Sequence, residues 1–415
     1  MNGCIKKVLK FSQYADIFLK QNSLYIKGFS RLATMIPASK KSSLIKGHFL
    51  IPGPGKGNIG DFAMCDAFVS KMQSVCTLVV GDAVTFVIPR KYESEIALLE
   101  IPKIVYGRFF GNFFALLKLA KHRNQMESLS LIGADVVDGR YNLSASINRL
   151  FLLQIMNNLN VPTRILGFSW SAEPQQSALF LMKKISGKTK LLVRDPRSAE
   201  RLRASGVFKI IDSADIVFSD QNEELLKPVE QWMDSNDKPI VGINISGLGE
   251  AFNAQSQAQL GEYTKIVKHV KALGYRVLLI PHVFWITDGD FEVSQHLFRS
   301  ACEDGDFLIV EIFTPAQERK FLQKVNFLVT ARMHAAIIAL SVGVPVIALE
   351  TMGKVEGLFD LFGDKSYCIA RKNGFSDKVN NRIDYLHENL DKAMREVESR
   401  LPSIKALSSR NFEGL

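Results

Sequence analysis

From about residue 47, short apolar runs rich in β-branched residues recur along the chain, with helical stretches between several of them. In the first half, HFLIPG (48–53), VTFVIP (84–89), LSLIGA (129–134), TRILGFS (163–169) and KLLVRD (190–195) predict strands. This alternation predicts an α/β fold built on parallel sheet. A polar, acid-rich stretch, SDQNEELLKPVEQWMDSNDKP (219–239), reads as a helix and linker. The pattern then restarts with IVGINIS (240–246), RVLLIPH (276–282), DFLIVEI (306–312), NFLVTA (326–331) and PVIALE (345–350). After SYCIA (366–370) the tail from Ser376 is charged and helical in period. The expectation is two Rossmann-like domains facing each other across a cleft, over 47–225 and 238–372. A basic, helical segment (1–46) precedes them and a helical tail (373–415) follows.

Composition narrows this further. A chain of 415 residues is too long for one comfortable core, and 47% hydrophobic with 23% charged residues is globular rather than disordered. No run approaches the ~18 apolar residues of a spanning helix, and the start lacks the apolar stretch of a secretory signal. The five cysteines (4, 65, 76, 302, 368) have no CxxC spacing and an odd count, so no disulfide framework is expected. A cytoplasmic protein, associated with the inner face of the membrane if at all, is the simplest reading. Lysine and arginine (52) exceed aspartate and glutamate (42), and the pI is about 9.2. That balance suits acidic small substrates or an anionic membrane. Nucleic acid is not expected, because no basic tract is interleaved with stacking aromatics. Residues 5–46 carry nine lysines and arginines and one acid amid apolar residues. They fit either peripheral contact with anionic lipid or a helix docked on its own protein.

In open α/β sheets, ligands bind beyond the carboxyl ends of the strands. That rule selects Ser246, His282, Arg332 with His334, and the turn from Glu350 to Lys354 in the second half. In the first half it selects the loop Gly53–Gly60, the turn Ala134–Asp138, Ser169–Ser171 and Arg194–Asp195. The loop PGPGKGNIGD (52–61) places glycines before a helix, where backbone N–H groups can approach an anion; Asp61 is the expected cap of that helix. Arg194, between strand and helix, can fork onto a carboxylate or phosphate, or fix the turn through Asp195. Ser198 reads as a helix cap rather than a nucleophile. His282, with Asp288 and Asp290 downstream, suits acid, base or hydrogen-bond duty. No metal site is assigned. Arg332 and His334 fall in the first turn of a helix, with Thr330 as its cap, and combine an anion grip with a proton carrier.

These residues carry a resemblance to the polysaccharide pyruvyl transferase family, from about residue 47 to 372. The matching features are NIGDFAM (58–64), LIGADVVDG (131–139), LLVRDPRSAERLRASGV (191–207), GINIS (242–246), LLIPHV with Asp288 and Asp290 downstream, and TARMHAAIIALSVGVPVIALETMGK (330–354). The chain departs from the family pattern at Gly133-Ala134-Asp135, where a glycine-rich turn is usual, and at SWSAEP (169–174), where Gly-Pro is usual.

The resemblance implies a glycosyltransferase-like (GT-B) architecture, with the acceptor on the first domain and the donor on the second. It implies transfer of pyruvate from phosphoenolpyruvate onto two hydroxyls of a sugar as a cyclic ketal, with no cofactor. The acceptor would belong to an exopolysaccharide, a lipid-linked repeat unit or a cell-wall glycan. On this reading His334 has the main acid/base role and His282 a supporting one. Arg332, Arg194, Asn58, Gly60, Asp61, Ser246 and Lys354 are the expected substrate-binding residues. The alternative is a nucleotide-sugar-dependent glycosyltransferase of the same fold, with Glu350 accepting ribose hydroxyls.

Overall fold

A computed structural model describes residues 13–39, 45–53, 55, 57–72, 76–81, 96–246, 254–284, 289–350 and 355–415. The chain forms two compact units: Met1–Gly53, Phe68–Ile216 and Leu407–Leu415 in the first, Pro54–Ala67 and Val217–Ala406 in the second. The expected linker over 226–237 therefore lies inside the second unit. The glycine loop at 54–67, expected in the first domain, belongs to the second.

The first unit holds seven strands: β1 (Gly47–Ile51), β2 (Cys76–Val80), β3 (Ile96–Glu100), β4 (Met126–Ala134), β5 (Thr163–Phe168), β6 (Lys190–Val193) and β7 (Ile211–Asp212). Their order is β3-β2-β1-β4-β5-β6-β7, and every pairing is parallel. The second unit repeats the plan with β8 (Ile240–Asn244), β9 (Arg276–Leu279), β10 (Phe307–Leu308), β11 (Phe327–Thr330), β12 (Val346–Glu350) and β13 (Cys368–Ala370). Its order is β10-β9-β8-β11-β12-β13, again all parallel. Both orders reverse direction once, at β1/β4 and at β8/β11, which is the doubly wound Rossmann arrangement. The two expected Rossmann-like folds are present.

Burial explains the strand pattern. All five positions of β2 and of β8 are buried, as parallel strands covered on both faces require. The helix Leu143–Asn158 is buried along almost its whole length and anchors the core of the first unit. The strand predicted over 84–89 lies outside the described residues. The expected strand at 306–312 shortens to Phe307–Leu308, because it is a sheet edge paired only with β9. Val310 and Ile312 beyond it are exposed.

In the basic leading segment, residues 13–21 are helical and a second helix covers Ser23–Met35. Asn22 caps the second, its Oδ1 accepting from Leu24 and Tyr25 N–H. Ile26, Phe29 and Ala33 are buried, and Phe29 packs edge-on against Phe113 and Phe151 at 5.0 and 5.8 Å. One face is thus docked on the first unit. The charged tail forms the helix Phe375–Ser409, interrupted at Asn389, and is tied to the second unit where Asp384 meets His269 at 2.6 Å. The last residues return to the first unit, where Arg164 donates to the carbonyl of Asn411 at 3.0 Å.

Candidate active site

In the second unit the sheet order reverses between β8 and β11, so the carboxyl ends of those strands define the crevice. Ser246, buried, lies two residues beyond the end of β8. Thr330 ends β11, and the helix Met333–Ser341 begins three residues later. Arg332 is the N-cap residue of that helix, in extended conformation, and makes no side-chain cap bond. Thr330 does not cap as expected; its Oγ1 accepts from Arg332 N–H at 3.0 Å and donates to Asn244 Oδ1 at 3.0 Å. His334 then stands in the first helical turn, where the helix presents N–H donors and its positive end.

Arg332 is held rather than loose. Its Nε and Nη2 fork onto Asp290, with Nη2 to Oδ1 at 2.6 Å and Nε to Oδ2 at 3.1 Å. Asp290, fully buried at the start of the helix Asp290–Ala301, also accepts from Asn244 Nδ2 at 3.0 Å and His282 N–H at 3.1 Å. One carboxylate therefore fixes the ends of β8, β9 and β11 together. Burying such a charge is tolerable only because it is paired and hydrogen-bonded on several sides. The guanidinium keeps a planar orientation, with Nη1 on the edge away from the Nε–Nη2 fork.

His282 is also buried, and its Nε2 lies 3.1 Å from Glu318 Oε2, itself buried. Its carbonyl accepts from Ile59 N–H at 3.1 Å, and Phe284 N–H donates to Gly57 at 2.9 Å. Asn58 and Val283 complete a short antiparallel bridge. The segment following β9 thereby pins the glycine loop to the second sheet. Positive φ angles at Gly55 (71°) and Gly57 (79°) permit the tight path. Asn58, not Asp61, takes the capping role, its Oδ1 accepting from Gly60 N–H at 3.0 Å. Asp61 lies inside the helix Ile59–Met72, and its Oδ2 accepts from Gly55 N–H at 3.2 Å.

This pinning brings the two helix starts into contact. A Cβ built on Gly60 would lie 2.6 Å from His334 Cγ and 2.7 Å from its Cβ. No side chain fits there without moving the histidine. Gly60→Ala should therefore lower turnover at least about tenfold. The same overlap overpacks the helix start at a cost of about 1–3 kcal/mol, so the melting temperature should also fall by a few degrees. Comparing kcat with the melting temperature of the variant checks both halves of this expectation.

Other expected site residues fall elsewhere. Arg194, in the first unit, has a fully buried guanidinium: Nε donates to Ser169 Oγ at 2.8 Å, Nη1 to Asp215 at 2.9 Å, and Nη2 to Asp135. Burial alone would lower its pKa, but Asp135, Asp215 and Asp195 together raise it. The expected anion fork is corrected to an internal strut, because its charge is already met. The alternative contact with Asp195 is also not the one formed. Asp195 caps the next helix, accepting from Ser198 N–H at 2.8 Å and Ser198 Oγ at 2.7 Å, so Ser198 is part of a cap and not a nucleophile. Lys354 and Asp288 lie outside the described residues. Glu350 Oε2 accepts from Val355 and Glu356 N–H at 2.7 and 3.1 Å, capping the helix Val355–Phe362.

Sequence reasoning missed Glu318 and Asn244. Asn244 had a signal, as the one amide within an apolar strand. Glu318 had none, lying in the polar helix Pro315–Leu322. At the turn unusual for its family pattern, Ala134 adopts φ +40°, a left-handed conformation in which glycine is the unstrained residue.

Compared with known proteins, residues 58–351, most of the chain, match the polysaccharide pyruvyl transferase family. No curated protein matches. Among solved structures, the chain is similar to a putative UDP-N-acetylglucosamine 2-epimerase from Listeria monocytogenes at 11% identity, covering 90% of this chain and 97% of that one with a TM-score of 0.53. A ugt transferase from Siraitia grosvenorii, in complex with UDP, matches at 11% identity over 88% and 97% of the two chains, with a TM-score of 0.53. A glycosyltransferase from Rickettsia africae matches at 10% identity over 90% and 100%, with a TM-score of 0.51. At such identities the likeness is one of fold, the GT-B-like architecture of two Rossmann-type units.

Proposed function

The chain belongs to the polysaccharide pyruvyl transferase family, and on that premise we propose that it moves pyruvate from phosphoenolpyruvate onto two hydroxyls of a sugar in a glycan. The enol methylene gains a proton, two C–O bonds form from the sugar hydroxyls to the central carbon, and the C–O bond to phosphate breaks. Of the two hydroxyl protons, one balances the new methyl group and the other leaves with phosphate.

The observation that carries this reading is the contact of two helix N-termini at Gly60 and His334, with Arg332 beside them in the sequence. A carboxylate and a phosphate need what this region offers: helix-end N–H donors, a fixed guanidinium edge and an imidazole. In this scheme His334 transfers the proton and Arg332, through Nη1, steadies the donor's charge. Asn58, Gly60, Asp61 and Ser246 shape the donor pocket. His282, too buried to meet substrate, positions the glycine loop and the Asp290 carboxylate. Neither a metal nor a cofactor is assigned a step. Lys354 remains assigned to the donor phosphate from sequence alone. The acceptor glycan is an exopolysaccharide, a lipid-linked repeat unit or a cell-wall polymer, handled on the cytoplasmic side.

The alternative, a nucleotide-sugar donor, would use Glu350 for the ribose hydroxyls, and its Oε2 already accepts from two helix-end N–H groups. A thermal shift assay separates the two donors. Phosphoenolpyruvate should raise the melting temperature and UDP should leave it unchanged. Protection by UDP alone would reverse the assignment.

A further inference from the structure

The docked leading helices leave an unusual surface behind them. On the helix Ser23–Met35, Ile26, Phe29 and Ala33 face the core, whereas Leu24, Lys27, Arg31, Leu32 and Met35 face solvent. Tyr14 and Phe18, one helical turn apart on residues 13–21, are exposed as well. The neighbouring helix Phe109–Ala120 shows the same habit: Phe109 and Phe113 pack inward near Tyr25 and Phe29, while Phe110 and Phe114 stand 73% and 65% exposed. The two elements meet around a cavity of about 870 Å³ whose lining includes Gln13, Asp16, Tyr106 and Phe110. The helices Ser23–Met35 and Phe109–Ala120 pack together through Tyr25 on Phe109 and Phe29 on Phe113, so their exposed residues flank one seam.

The charges on that face are nearly all of one sign. Lys27, Arg31, Lys103, Arg108 and Lys118 are exposed. Across the described residues 13–39 and 101–123 the single carboxylate is Asp16, which is buried and paired with Lys20 at 2.8 Å. Large aromatic and aliphatic tips set among cations, with the exposed Glu100 at one edge beside Lys118, complement a surface that is apolar beneath and anionic above. A protein partner would have to bury these cations, whereas lipid headgroups can meet them. We propose that this face, built jointly by residues 13–35 and 103–118, docks on an anionic membrane with Phe110, Phe114, Phe18 and Met35 entering the interface. The proposal enlarges the surface beyond the leading segment and stands apart from the identity of the reaction.

Sedimentation of the full chain with vesicles tests it. Binding is expected to phosphatidylcholine vesicles containing phosphatidylglycerol, weakened by salt, and not to phosphatidylcholine alone. The double variant Phe110→Ser with Phe114→Ser should lower partitioning about tenfold or more. Lys27→Glu with Arg31→Glu should remove the preference for anionic vesicles. Both pairs are exposed, so unchanged melting temperatures and far-UV circular dichroism would show that the fold is intact. The proposal is overturned if the wild type ignores anionic vesicles. It is equally overturned if the phenylalanine variant binds them as wild type does, or loses self-association in light scattering instead.

Discussion

His334→Ala should lower turnover by roughly 10²- to 10⁴-fold while leaving the melting temperature close to wild type, the range over which a general acid or base acts. The side chain is half-buried in the first turn of its helix and touches Gly60, so its removal opens space without unpacking the core. Affinity for phosphoenolpyruvate should change far less than kcat, because in the proposed scheme the grip on the anion belongs to Arg332 and the helix ends. His334→Gln, which keeps bulk and hydrogen bonding but not proton transfer, should be nearly as slow. A histidine that serves only to fill space would tolerate that second change. Steady-state kinetics on both variants, read as separate kcat and KM values, makes the distinction.

Asp290→Ala should be the most damaging substitution for stability. It removes the acceptor for Arg332 Nε and Nη2, Asn244 Nδ2 and His282 N–H at once. The guanidinium would be left largely buried without its counter-charge, which costs about 3–5 kcal/mol. The apparent melting temperature should fall on the order of 10 °C. Asp290→Asn keeps some acceptors but not the charge and should fall between. Arg332→Lys should recover little, since an ammonium cannot reproduce the two-point fork. If Asp290→Ala melts like wild type, this carboxylate does not tie the three strand ends together.

Much of the fold was legible because parallel strands buried on both faces leave continuous apolar runs. Most of the strands read this way, β4 to β6, β8, β9, β11 and β12 among them, lie within a residue or a few of the runs that predicted them. What stayed hidden was of two kinds. β7 is two residues long, below any periodicity, and β3 is an edge strand with only one fully buried position. The buried strand β2 carried the apolar run CTLVV, which went unread although the polar residues Lys71, Gln73 and Ser74 set it off from the helix before it.

The site divides along the same line. Arg332 and His334 could be picked out because polar groups at a strand's carboxyl end stand out against apolar neighbours. Asp290 also stood out, but its pairing with Arg332 did not, and Glu318, the partner of His282, comes from a separate helix and meets it only through tertiary packing. Arg194 obeyed the same rule as Arg332 and led to the wrong expectation. Position shows where an arginine sits; the carboxylates that meet its charge become visible only in three dimensions.

Gly60 is the clearest example of a residue whose meaning required the structure. In sequence it is one glycine of a loop with no recognised phosphate-binding spacing. In the fold it is the point where one helix start leaves room for His334 on another.

The central claim is that this site moves pyruvate out of phosphoenolpyruvate. Phosphate release should be followed with a panel of galactose-, glucose-, mannose- and N-acetylhexosamine-containing acceptors, with mass spectrometry of the product. The account predicts acceptor-dependent phosphate release, a product heavier by one ketal-linked pyruvate, and the loss of both in His334→Ala. Sugar transfer from a nucleotide donor, with phosphoenolpyruvate left intact under every acceptor, would contradict it.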